Sequence, residues 1–327
     1  MATYYGTYGQ KVQYLASDPT DPQVGQVWYN STSATLKVRG VSTAGVWSSA
    51  ANMNTGRTTG AASGTQTATL SFGGYHPSTG FQTASESYNG TTWTNTPSLN
   101  TGEYLMGGSQ QGTTTAALSF GGGAGGDVTR QTESYNGSSW TIVSNYPGYV
   151  RDPVGTGTQT ATLGSGGETH PPTGPVGATN LVVKYNGSSW TTSTSMPNPW
   201  SRHAGTGTQT ATLVFGGTTP DIFNPPVSLA VSFNGSSWSS IPSMNTARRY
   251  LAGAGSQTAA LAFGGTTNST ENYNGSTWTT ISSLITNNSG QIGTGTASAA
   301  LNSVGSFSGQ TEEFNAPAIV TQTVTVT

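Results

Sequence analysis

Apolar and polar residues alternate in short, recurring runs along this chain. In Ala68-Thr69-Leu70-Ser71-Phe72 every second residue is apolar, and Gly73-Gly74 follows at once. Period two over a few residues, ended by glycines, predicts a half-buried strand and its breaker. The register returns in Thr160–Leu163 before Gly166-Gly167, in Thr210–Phe215 before Gly216-Gly217, and in Thr258–Phe263 before Gly264-Gly265. Ahead of each run, small residues such as those from Arg57 to Ser63 predict an inner strand, and Gly64-Thr65-Gln66-Thr67 a connecting turn. Behind it, past a variable loop, Ala84–Tyr88 predicts a third strand. Asn89-Gly90 then supplies residues that tolerate positive φ and turns the chain into a fourth strand at Trp93.

The last of these signals is written five times: Tyr88-Asn-Gly-Thr-Thr-Trp93, Tyr135-Asn-Gly-Ser-Ser-Trp140, Tyr185-Asn-Gly-Ser-Ser-Trp190, Phe233-Asn-Gly-Ser-Ser-Trp238 and Tyr273-Asn-Gly-Ser-Thr-Trp278. A worn sixth copy, Phe314-Asn-Ala-Pro-Ala-Ile319, has Ile in the Trp position. Counted from Trp47, the tryptophans step by 46, 47, 50, 48 and 40 residues. Four strands at that period predict an all-β chain built of four-stranded propeller blades. The repeats are 54–97, 100–144, 149–195, 200–242, 245–283 and 288–327, with a partial blade at 25–50. Residues 25–327 form one propeller, and 1–24, with Tyr4, Tyr5, Tyr8 and Tyr14, an N-terminal arm or anchor.

Closure matters because an open ring leaves unpaired strand edges. Gln26–Asn30, Thr35–Arg39 and Val46–Ser49 lack only an innermost strand, and Ile319–Thr327 alternates as a strand should. If the C-terminal strand completes those three, the ring has seven blades, which is the reading favoured here. If it completes the sixth repeat instead, as Ile319 in the Trp position suggests, six blades close.

Charge repeats as well. Glu stands two before the aromatic at Glu86, Glu133, Glu271 and Glu312, and Arg opens the inner strand at Arg57, Arg151, Arg202 and Arg248, with Glu103 in the second repeat. A cross-strand ion pair and two solvated positions are equal readings of this pattern.

A hydrophobic strand ending in Gly-Gly, then an aromatic turn, then Trp, resembles the kelch repeat of galactose-oxidase-type propellers over roughly residues 50 to 320. The string GTQTATLxFGG…ESYNGSSW is similar to kelch-like proteins of marine tailed bacteriophages, and Gly25-Gln-Val-Trp-Tyr-Asn30 with Thr35-Leu-Lys-Val38 resembles segments of phage tail and fibre proteins. The chain departs from the kelch pattern in its Asn-Gly and its Thr/Ser-rich strands. The resemblance implies a virion protein, made in the host cytoplasm.

Composition narrows the chemistry. Charged residues are 7% of the chain and net charge is -2, so no field draws nucleic acid or an anionic membrane. No run of about 18 apolar residues suggests membrane insertion, and MATYYGTYGQ has no basic-then-apolar signal segment. The copper and cysteine-linked tyrosine radical of galactose oxidase cannot form without cysteine, which is absent. His76, His170 and His203 stand at no metal-ligand spacing. Glycoside hydrolysis needs two carboxylates about 5–10 Å apart, and Glu103, Asp127, Asp152, Glu168 and Asp221 form no such pair in sequence. No catalytic residue, metal or cofactor is expected.

The variable loops after the second strand and the connections between repeats are expected on one face, where loops on a rigid scaffold carry binding residues. Tyr75, His76, Phe81, Arg130, His170, Trp200, Phe223, Arg249 and Tyr250 break the Ser/Thr background there. Aromatic rings and amides suit sugar rings and hydroxyls, while Trp200 and Tyr250 also suit a role capping the core. The expectation is a non-enzymatic phage structural protein of tail fibre, tail tip or capsid decoration, present in multiple copies or as a homo-oligomer. Its partners would be other virion proteins or a host-surface glycan or receptor. The alternatives are a polysaccharide-degrading propeller enzyme or a purely architectural subunit.

Overall fold

The computed structural model describes residues 12–23, 25–41, 45–125, 127–170, 176–287, 289–303, 305, 307–317 and 319–324. Tyr4, Tyr5, Tyr8, Asn288 and residues 171–175 of the Glu168–Gly177 loop lie outside them. Among the described residues all regular structure is β-strand. The chain divides into two compact units, Met1–Gly45 with Ala316–Thr327, and Val46–Asn315. The boundary expected after residue 24 falls inside the first.

In the smaller unit Gln13–Leu15 runs parallel to Val27–Asn30, which pairs antiparallel with Thr35–Val41, which pairs antiparallel with Ile319–Val324. Asp18 ties this sheet together. Its carboxylate accepts from Asn30 Nδ2 (2.7 Å), Trp28 Nε1 (3.0 Å) and Lys37 Nζ (2.6 Å). Those bonds, Asn30's first, hold its pKa down to about 2. The C-terminal strand thus pairs with Thr35–Val41, as the seven-blade reading requires, but Val46–Ser49 does not join them.

In the larger unit six four-stranded antiparallel sheets follow one another. The first has Ala61–Thr65, Ala68–Phe72, Ser85–Tyr88 and Trp93–Thr96 in spatial order, and the next four repeat that order along the chain. The sixth takes Ile292–Gly295, Ala299–Ser303 and Glu312–Asn315 and receives its fourth strand, Val46–Ser49, from the other end of the unit. Trp47 therefore sits opposite Phe314, just as Trp93 sits opposite Tyr88. Ile319, expected in that position, pairs with Val41 instead. The Asn-Gly turns differ in one detail from expectation: only Gly takes positive φ (92–93° in all five). Asn acts through its side chain, with Asn89 Oδ1 accepting from the Thr91 and Thr92 amides at 3.0 and 2.9 Å.

Adjacent sheets interlock through these tryptophans. Trp140 packs on Phe72 of the preceding sheet (4.8 Å between centroids), Trp190 on Phe120 (4.9 Å), Trp278 on Phe215 (5.2 Å) and Trp47 on Phe263 (4.8 Å). The glutamine of the first turn is a second link. Gln159, Gln209 and Gln257 each donate to the carbonyl of the preceding sheet's turn aromatic, at 2.5, 2.7 and 2.7 Å. Gln66 of the first sheet makes the same bond to Phe314 O of the sixth, at 2.7 Å.

The charge repeat resolves into a rule. The carboxylate of Glu86, buried on its strand, accepts from the Asn54 and Thr55 amides (2.7 and 3.1 Å) and from Arg57 Nη1 (2.7 Å). Glu271 repeats this with Asn245, Thr246 and Arg248 at 2.6, 3.2 and 3.1 Å. Strand register puts Val183 and Val231 where those glutamates stand, and Val150 and Trp200 where the arginines stand. The residues matching Asn54 are there Pro147 and Pro197, which have no amide hydrogen to satisfy. Where the carboxylate is absent, guanidinium and amide are absent with it, whereas the second and sixth sheets keep carboxylate and amides without an arginine: Glu133 accepts from Asn100 N and Thr101 N (2.9 and 3.2 Å), and Glu312 from Ile285 N and Thr286 N (2.8 and 3.1 Å). Arg151 and Arg202, grouped with Arg57 from the sequence, are out of this register.

Candidate functional site

Two residues ahead of each inner strand the backbone turns left-handed: Thr59 (φ 55°), Leu105 (52°), Asp152 (59°), Arg202 (55°), Tyr250 (56°) and Gly290 (73°). Such a conformation costs about 1–3 kcal/mol for a non-glycine residue and persists only where the surroundings impose it. Here they do. Leu105 N donates to Thr59 O (2.7 Å), Asp152 N to Leu105 O (2.5 Å), Tyr250 N to Arg202 O (2.9 Å), Gly290 N to Tyr250 O (3.2 Å) and Thr59 N to Gly290 O (3.0 Å). Between Asp152 and Arg202 the contact is with a side chain: the Arg202 backbone is near enough to the Asp152 carboxyl to favour its charged form.

These residues rim a cavity of about 120 Å³ between the inner strands. Gln110 crosses it, donating to Gly253 O (2.6 Å) and Gly293 O (3.1 Å). Pockets that enclose an organic ligand run to about 300–1,000 Å³, so a larger ligand would meet the rim, not the interior.

Around the rim runs an arc of aromatic and charged side chains. Phe81 stacks on Tyr104 (5.0 Å), and Tyr75 packs against both (5.7 and 6.2 Å). Tyr104 OH accepts from Arg151 Nη1 (3.2 Å). Arg151 and Arg202 both clamp the buried Glu168, at 2.9 and 2.7 Å. Arg202 and Arg249 each lie over the Tyr250 ring, 5.2 and 6.0 Å from its centroid. Arg151 and Arg202 thus converge on Glu168, and beside them burial, then the Glu168 charge, pushes Asp152 up to about 8. No protein-family model matches this chain, and no curated protein matches it in sequence. The rim must be read from its own residues.

Of the residues singled out in the sequence, Tyr75, Phe81, Arg249 and Tyr250 come together in this arc. His170 Nε2 approaches Glu168 at 3.8 Å, and burial, then the Arg151 charge, lowers its pKa. His76 meets the ring of Phe307 edge-on at 5.4 Å. Arg130 lies elsewhere, bonded to Tyr146 O (2.8 Å) over the Tyr149 ring beside Asp127 and Asn145. Phe223 is exposed on its own loop. Trp200 corrects the expectation: it is 1% exposed, packs with Met196 and Val231, and donates its indole N–H to Gly216 O (2.5 Å). It caps the core, as the position of a missing Arg requires. Tyr104 was not singled out, and Arg151, Arg202, Asp152 and Glu168 were named for their charge but not as binding residues. The offset was visible in the numbering, because Arg57 and Arg248 stand nine before the turn glutamines Gln66 and Gln257 while Arg151 stands eight before Gln159 and Arg202 seven before Gln209.

The rim predicts a pH dependence. Folded Asp152 keeps its proton up to about 8, whereas the unfolded carboxyl loses it near 3.8, so its contribution to stability falls as pH rises between those values. Burial lowers His203 to about 3 from 6.5, so its contribution falls as pH drops through that window. Asp152→Asn should remove about one proton's slope, ~1.4 kcal/mol per pH unit, from stability between pH 6.5 and 7.5. His203→Gln should remove the opposite slope between pH 4 and 6. Urea melts at stepped pH check both, and an unchanged slope in Asp152→Asn refutes the assignment.

Proposed function

We propose that residues 46–315 are a six-bladed propeller of kelch-like blades, closed by Val46–Ser49, in place of the seven blades favoured from the sequence. The support is the pair of links from first sheet to sixth, Thr59 N to Gly290 O and Gln66 Nε2 to Phe314 O. The inner strand Ile292–Gly295 also packs beside Ala61–Thr65.

On that scaffold the chain is a non-enzymatic component of a phage particle that binds host-surface glycan through the rim. The observation that carries this reading is the arc from Tyr75, Phe81 and Tyr104 through Arg151 to Tyr250 and Arg249. It offers ring faces for sugar stacking and guanidinium donors for hydroxyl or acidic substituents. Sibling virion proteins would hold the chain in many copies.

The test is binding of the full chain to polysaccharide extracted from host envelopes, by biolayer interferometry, with Phe81→Ala and Arg249→Ala. Each variant should weaken binding about tenfold or more, ~1.4 kcal/mol. Binding unchanged in both variants would remove the rim from the interaction, and new reducing ends in the polysaccharide would make the chain an enzyme. Mass spectrometry of purified particles lacking the chain would end the virion assignment.

A further inference from the structure

Arg130, singled out in the sequence, stands in a second pocket, of about 380 Å³, that shares no residue with the rim arc. Its walls are the hairpin of Gly123–Ala124 with Asp127–Val128 and the connection into the third sheet, which carries Asn145 and Tyr149. Backbone bonds hold the two walls together. Thr129 N donates to Gly122 O (2.9 Å), and Tyr146 N to Arg130 O (2.7 Å). Arg130 returns a bond from Nε to Tyr146 O (2.8 Å), and its guanidinium lies over the Tyr149 ring, 5.3 Å from the centroid.

The arginine is therefore pinned by one nitrogen while its two terminal nitrogens keep their donors. Among the described residues those nitrogens have no protein hydrogen-bond partner, and neither do the Asp127 carboxylate, the Asn145 amide or the Tyr149 hydroxyl. One pocket thus presents a fixed set of donors and acceptors that the fold does not use. The set selects its ligand by charge. An anion would meet the Asp127 carboxylate, a cation would meet the Arg130 guanidinium, and the apolar lining is confined to Ala124, Val128 and the Tyr149 ring. A neutral polyhydroxy ring satisfies the groups together. Its hydroxyl hydrogens go to the carboxylate, and its hydroxyl oxygens accept from the guanidinium and the amide.

We propose that this pocket binds one neutral pyranose residue, with Asp127 as acceptor and Arg130 and Asn145 as donors. Its volume falls in the range of pockets that take small organic ligands, about 300–1,000 Å³. Because no rim residue takes part, the site does not depend on the rim's reading as a glycan-binding surface.

The test is a saturation-transfer NMR titration of the full chain with methyl glycosides of glucose, galactose, mannose and N-acetylglucosamine, and with methyl glucuronide. At least one neutral glycoside should saturate in the millimolar range expected of so few contacts. Asp127→Ala and Asn145→Ala each remove an exposed side chain with no protein hydrogen bond, so the fold should survive both. Each should weaken that glycoside about tenfold or more, and Phe81→Ala on the rim should leave it unchanged. Saturation by none of the neutral glycosides, or equal affinity in both pocket variants, would overturn the proposal. So would loss of binding in Phe81→Ala, which would move the sugar to the rim, or tighter binding of the glucuronide, which would make the pocket an anion site.

Discussion

Arg57→Met is expected to destabilise the chain by about 3–5 kcal/mol, among the largest effects of any single side chain in it. The guanidinium is wholly buried, and its partner Glu86 is 1% exposed. Removing one charge leaves the other in a low dielectric with no compensating group, a far larger penalty than the net worth of the pair. The chain itself suggests the control. In the third sheet the same two positions are Val150 and Val183, and Pro147 stands where Asn54 would present an amide. Arg57→Val with Glu86→Val should therefore recover most of the loss of either single change. Adding Asn54→Pro should recover part of the rest, because it removes the amide that Glu86 had satisfied. Urea melts of the two singles, the double and the triple give the coupling energy directly. Additive costs would mean that the three positions do not act as one unit.

That unit also marks how far the sequence was legible. Alternation and the Gly-Gly breakers located the second strands, and the Tyr-Asn-Gly turn located the third and fourth, because each depends on neighbours a few residues away. The partner of Val46–Ser49 did not follow, since its alternation suits either sheet and the choice rests on pairing with Glu312–Asn315. Trp200 was read as a candidate for binding because its burial depends on its register with Arg57, which an insertion between repeats hides. The left-handed ring was invisible for another reason. Thr59, Leu105, Arg202 and Tyr250 have no preference for positive φ, Asp152 has a mild one, and only Gly290 has a strong one. The hydrogen bonds from one repeat to the next impose the conformation, so tertiary structure overrides local preference there. The turn glutamine was read as part of a turn, although its recurrence in GTQTATL, with a side chain long enough to reach a neighbouring sheet, was a usable signal.

Trp47→Ala should cost about 3–5 kcal/mol, and clearly more than Trp238→Ala. Both tryptophans stand at the start of a fourth strand opposite a phenylalanine. Trp47 is 6% exposed, packs on Phe263 of the neighbouring sheet and on Phe314 (4.8 and 5.4 Å), and donates to Thr270 Oγ1 (2.9 Å). Trp238 is half-buried, with Ser165 in the neighbour's phenylalanine position, and its N–H goes to Thr194 O (2.9 Å). Truncating Trp47 removes buried ring area from two sheets at once and orphans part of a buried hydrogen bond, whereas truncating Trp238 removes a partly solvated ring. Trp47 also carries a topological burden that Trp238 does not. Its strand reaches the sixth sheet from some 265 residues away in sequence, so weakening it bares the backbone edge of Glu312–Asn315. Trp47→Ala should therefore show concentration-dependent association on partial unfolding, read by light scattering during the melt, while Trp238→Ala melts without it. Equal losses in the two variants, with no difference in scattering, would mean that Val46–Ser49 does not close the sixth sheet in solution.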